Sequence, residues 1–175
     1  ANYYWWMLIT GEDSPENQKA FNENIEKIIS LVKKQKSQKE QLTNDEVFLM
    51  VNAYAFKARL EALRTKFFKA MLYMDDCVDY IELTMDKGHL YNNFYLHDGL
   101  YNYFMAYSQK HFPLFLPASW FYPKANAVKG LELLKKCTFA EDMVLSTEGN
   151  YFLMRIYYQL EKKYSVHTVN AYLND

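Results

Sequence analysis

The chain has 175 residues and a net charge of −1; half of its residues are hydrophobic and 23% are charged. That length suits one domain with a full-sized core, and the composition excludes disordered and collagen-like chains. No stripe of Lys or Arg stands apart from compensating acids, so no nucleic-acid partner is expected. The run "KKQKSQK" from Lys33 to Lys39 falls where a helix should end, a place where cations suit the macrodipole. Apolar runs such as "YYWWMLI" are far shorter than the ~20 residues of a membrane span. The chain opens at Ala1 with nothing resembling a signal peptide, which reads as a processed or trimmed portion of something longer. Cys77 and Cys137 have no CxxC spacing and read as small buried hydrophobes.

Prolines occur only at Pro15 and at Pro113, Pro117 and Pro123, which leaves a long stretch free for uninterrupted helices and predicts an all-α fold. "YYWWMLITG" predicts a short first helix stopped at Gly11. Ser14 is then the N-cap of a second helix with Pro15 at its first position, and Phe21, Ile25, Ile28, Ile29 and Val32 trace its buried stripe. "TNDE" from Thr43 to Glu46 is a capping box that opens a long helix ending near Arg64. The next helix is predicted from about Phe67 to Lys87, stopped at Gly88, with Ala70, Met74, Cys77, Val78 and Ile81 inward. Helices follow from about Phe94 to Lys110, Asn126 to Lys136 and Glu141 to Lys162, and a last one begins near Val166. Eight helices joined mostly by short turns imply antiparallel neighbours.

"FLMVNAYAF", "YLHDGLYNYF" and "YFLMRIYYQL" align with one another, and each starts a helical hairpin. Spaced at intervals of this length, they predict a stack of hairpins. With "AYAFKARLEAL", "KGLELLKKC" and "EGNYFLMRIYYQLEKKYS", these segments resemble the tetratricopeptide-repeat superfamily, in particular divergent bacterial members with elongated repeats. The resemblance covers the chain from about Asp45 onward. It implies a short right-handed array in a single domain over residues 1–175. It also implies that Gly99 and Gly130, and less cleanly Val51 and Ala70, are the small residues through which paired helices approach, and that Tyr54 or Tyr157 packs between hairpins. The interval from Val51 to Ala70 exceeds that of the ordinary repeat by about two helical turns. The fold therefore transfers, while the ordinary repeat's ligand-binding residues do not.

Three constellations invite chemistry. His97 and Asp98 in "LHDG" look like the doublet of His-Asp metal-dependent phosphohydrolases, but the further His and Asp that would converge on a metal are not in place, so a surface or capped-turn role is preferred. Asp75, Asp79, Glu82 and Asp86 recur at steps of four, three and four on one helical face, as a cation site, a docking face for a basic partner or, more commonly, a solvated face. Neither Ser119 nor Ser146 sits in a nucleophile elbow, and neither cysteine has an identifiable His partner. No catalytic residue, metal or cofactor is expected.

The loop from His111 to Tyr122 carries the clearest functional signal, because loops of this length without secondary structure are often functional. It either plugs a gap between hairpins with Phe112, Phe115, Leu116, Trp120 and Phe121 or presents them as a binding surface. Tyr101, Tyr103, Phe115, Trp120, Phe121 and Tyr122 are the candidate binding residues. The reading is a non-enzymatic scaffold that binds a protein or peptide. A carbohydrate-contacting accessory protein is the alternative, distinguished by a flat exposed face on Trp5, Trp6 or Trp120. The family resemblance points to a protein exported to the periplasm or cell envelope. At the C-terminal end, Phe152, Ile156, Leu160, Val169 and Tyr172 are expected to be only partly covered, completed by a second copy in a homodimer, by downstream residues or by another partner.

Overall fold

A computed structural model describes residues 1–38, 41–111 and 120–161. It is all-helical among these residues, as expected, and groups into two compact units that divide at Leu83 and Thr84.

The first unit holds α1 (Asn2–Ile9), α2 (Pro15–Lys36), α3 (Asn44–Leu63) and α4 (Phe67–Ile81). Its boundaries follow local chemistry. Gly11 takes φ +105°, a conformation that side chains with a Cβ resist, just past the end of α1. The Ser14 hydroxyl accepts from the Asn17 amide at 3.1 Å, one of the amides that a helix start leaves orphaned. The capping box forms reciprocally: the Glu46 amide donates to Thr43, and the Thr43 amide donates to the Glu46 carboxylate at 2.8 Å. Helix α3 packs on both α2 and α4, so Met50, Ala53, Tyr54, Phe56 and Leu60 are all buried, whereas Ala62, expected inward, is exposed.

At one end of this core Trp5 stacks on Phe56 with centroids 5.3 Å apart, and Phe21 meets the Phe56 ring edge-on at 6.0 Å. The Arg59 guanidinium lies 4.2 Å from the Trp5 ring. Such ring pairs contribute about 0.5–1.5 kcal/mol beyond their area burial. Further along, Ile25, Ile29 and Val32 of α2 and Cys77, Val78 and Ile81 of α4 are buried. Tyr54 stacks on Tyr80 at 5.9 Å.

The second unit holds α5 (Asn93–His111), α6 (Ala127–Thr138) and α7 (Met143–Arg155), which runs on into a π-helical turn, Ile156–Leu160. The Glu161 amide closes that turn by donating to the Ile156 carbonyl at 2.9 Å. Asn126 caps α6 by accepting from Val128 and Lys129, and Asp142 caps α7 by accepting from Leu145. Leu96, Tyr103, Leu134, Cys137, Leu145, Phe152, Leu153 and Ile156 form the core. Two expectations change here. Phe152 and Ile156 are buried, because α7 turns them onto α5 and α6 rather than outward, and Leu160 is half-buried. The expected helix near Val166, with Val169 and Tyr172, lies outside the described residues.

Helix α4 ends at Ile81, not near Lys87. The residues that follow are held by a side chain instead of by a helical ladder. Asp98, on α5, accepts from the Thr84 hydroxyl at 2.7 Å and from the Asp86 amide at 2.8 Å, and Asp86 takes φ +60°. Gly88 is no helix stop either. It is buried where a Cβ would run into the Tyr95 ring, and it admits that ring.

Candidate functional site

The segment that looked most like a site in sequence, "LHDGLYNYF" on α5, is largely the framework of the second unit. Asp98 is 2% exposed and His97 is 4% exposed, so neither occupies the expected surface position. Asp98 does hold a turn, but from inside the protein, through both carboxylate oxygens. Burial raises its pKa to about 6 against the pull of the Thr84 and Asp86 hydrogen bonds. Burial drives His97 down to about 3, which keeps its imidazole neutral at ordinary pH. Asn102 accepts from the Asn126 amide at 3.1 Å, and the Tyr101 hydroxyl donates to the Pro123 carbonyl at 2.7 Å. Polar groups buried on α5 thus satisfy the backbone of the segments entering and leaving it, as buried donors and acceptors require. No three His, Cys, Asp or Glu side chains gather as a metal-binding group among the described residues.

The candidate binding residues therefore do not share one surface. Tyr101 and Tyr103 are buried rings, Trp120 and Phe121 are 82% and 89% exposed, and Tyr122 is half-buried. Phe115 lies outside the described residues, as do Phe112 and Leu116. Trp120 and Phe121 plug nothing.

Tyr103 does border a cavity. Its ring stacks on Tyr107 with centroids 6.0 Å apart, and Tyr107 stacks on His111 at 4.1 Å, a ladder of near-parallel rings one helical turn apart along α5. The Tyr103 hydroxyl donates to Glu161 Oε1 at 2.8 Å. Burial pushes the Tyr103 phenol well above its usual pKa, and the carboxylate beside it adds to the shift, so the phenol stays protonated and keeps donating. Lys110, Ala106, Ala127 and Leu160 complete the lining of a space of about 240 Å³. Sequence reading missed Tyr107, His111 and Glu161. The four-residue spacing from Tyr103 could have found the two rings, whereas nothing local marks Glu161, 58 residues away.

In the first unit, the outward face of α4 has two chemistries end to end. Phe68, at 75% exposure, begins a stripe that continues through Met71 and Leu72, all open to solvent, beside exposed Leu63 and Phe67. One to three turns further on, Asp75, Asp79 and Glu82 carry the same stripe onward as exposed carboxylates. Asp86, expected to extend this row, lies beyond the helix and pairs with Lys129 at 2.7 Å in the second unit. The opposite face of α4 buries Cys77, Val78 and Ile81, so the solvent-facing apolar residues are surplus to the core.

No family model, curated protein or solved structure matches the chain. No described helix is long and apolar enough to cross a membrane.

Proposed function

We propose that this chain is a non-enzymatic docking module whose α4 face holds a partner protein or peptide. The observation that carries the reading is the exposed group Leu63, Phe67, Phe68, Met71 and Leu72, since contiguous apolar surface of this kind marks interaction sites in soluble proteins. The acidic continuation of the stripe selects the partner: a helix with apolar residues over two turns followed by Lys or Arg over the next two. Its apolar residues would cover Phe68 and Leu72 while its cations meet Asp75 and Asp79, about 10–16 Å along the axis from Phe68.

The finer reading of the architecture, hairpins packed in the tetratricopeptide manner, draws support from the close approach of α5 and α6 at Gly99 and Gly130. Exposed Trp120 favours a second reading, stacking on a sugar ring. Its mark would be quenching of protein fluorescence by a soluble glycan that disappears in Trp120→Ala.

The main reading is tested by titrating isotope-labelled protein with a designed amphipathic peptide, Leu/Phe-faced then Lys-faced, and with its reversed sequence. The expected result is amide shifts confined to residues 63–82, tighter binding of the forward peptide, and loss of binding in Phe68→Ser/Leu72→Ser. Shifts elsewhere, or binding indifferent to those substitutions, would overturn it. Self-association that vanishes in the same variant would put a second copy in place of the foreign partner.

A further inference from the structure

We propose that the cavity beside Tyr103 is a receptor for a guanidinium group, supplied by an arginine side chain of a partner or by a free guanidinium compound. It lies in the second unit, apart from the α4 face, and stands or falls independently of the docking reading.

Volume sets the scale. About 240 Å³ is far more than one water requires and below the roughly 300–1,000 Å³ of sites for drug-sized ligands, which suits the end of a side chain. A second cavity of about 260 Å³ is bordered by Tyr95 and Lys136, but there the Lys136 ammonium already sits 5.0 Å from the Tyr95 ring centroid, so the protein's own cation uses that aromatic face.

The lining sets the chemistry. A cation is drawn to the faces of aromatic rings, and a planar one stacks on them as well. Tyr103, Tyr107 and His111 form a stacked ladder along the wall, with Tyr107 half-buried and His111 open at the rim. Glu161 supplies the counter-charge, and its carboxylate is positioned by the Tyr103 hydroxyl. A carboxylate held in this way matches the fork of a guanidinium better than the point charge of an ammonium. Lys110 also borders the space, but it is solvent-exposed on a flexible stem, so it weakens a bound cation without excluding one.

The backbone adds a separate indication. Leu160 ends the π-helical turn and Glu161 closes it, so both cavity residues are delivered by an irregular winding found mostly as single turns and frequently at functional sites.

The test is a heteronuclear NMR titration of the whole chain with N-acetyl-arginine amide, its neutral isostere N-acetyl-citrulline amide, and free arginine. The arginine amide should shift amides at residues 103–111 and 160–161 with saturable affinity, and the citrulline amide should bind at least about tenfold more weakly, as loss of a charge-assisted pair implies. Glu161→Gln, which can still accept from Tyr103, should weaken binding by a similar factor, and Lys110→Ala should tighten it. Stronger binding of free arginine than of the amide would identify a small-molecule receptor, and the reverse a receptor for a peptide side chain. Absence of saturable shifts, or equal affinity for the citrulline amide, would overturn the proposal. So would affinity unchanged by Glu161→Gln.

Discussion

Gly99 and Gly130 face each other where α5 crosses α6: a Cβ on Gly130 would lie 2.8 Å from the Gly99 carbonyl oxygen and 2.5 Å from the Tyr103 amide nitrogen. Both are backbone atoms, which cannot swing aside. Gly130→Ala should therefore push the helices apart and destabilise the second unit by about 2–3 kcal/mol, despite alanine's higher helix propensity. Denaturant unfolding of the variant checks this, and a rise in stability would mean that the contact is looser than described.

Asp98 ties stability to pH. Its folded pKa of about 6 lies above the ordinary 3.8, so its protonated form favours the fold. That contribution is complete below the unfolded value and is lost as pH rises through about 6. Asp86 nearby reinforces the upward shift and Lys129 opposes it. The wild type should thus gain stability relative to Asp98→Asn as pH falls from neutrality toward 4, measured by paired thermal melts. A parallel pH profile for the two proteins would contradict the assignment. Asp98→Ala should destabilise at every pH, by about 1–3 kcal/mol, because the Thr84 hydroxyl and the Asp86 amide lose their acceptor.

Trp120 is a large aromatic that the fold does not use. Trp120→Ala should change stability by no more than about 0.5 kcal/mol, as at other surface positions, where a buried tryptophan would cost about 3–5. A large drop in the thermal midpoint would restore the plug reading of its loop.

Thr65, between α3 and α4, takes φ +59°, a left-handed conformation costly for a β-branched residue. Asparagine tolerates it better, so Thr65→Asn should stabilise the first unit by about 1 kcal/mol. Unchanged or lowered stability in the same unfolding assay would show that the strain is relieved elsewhere.

What the sequence revealed and what it hid divide by the range of the interactions involved. Ser14, Thr43 with Glu46, and Asn126 were legible because each serves amides two or three residues away. The end of α4 was not, since the Asp98 that holds Thr84 lies 14 residues downstream and the apolar periodicity continued past Ile81. Tyr101 and Tyr103 read as surface candidates because a buried tyrosine needs a hydroxyl partner. Those partners, Pro123 and Glu161, stand 22 and 58 residues off. The α4 face was half visible: its carboxylates were noted, but Phe68 and Leu72 passed unremarked beside the residues that fill the core.

The π-helical turn at Ile156–Leu160 makes this end of the chain sensitive to length as well as to identity. Each residue advances an α-helix by about 100°, so removing one from the turn and restoring ordinary winding would rotate everything downstream by that angle. Glu161 would swing away from the Tyr103 hydroxyl and Leu160 would leave its place in the cavity wall. A single deletion among five residues would thus dismantle the arrangement without altering any side chain that lines it.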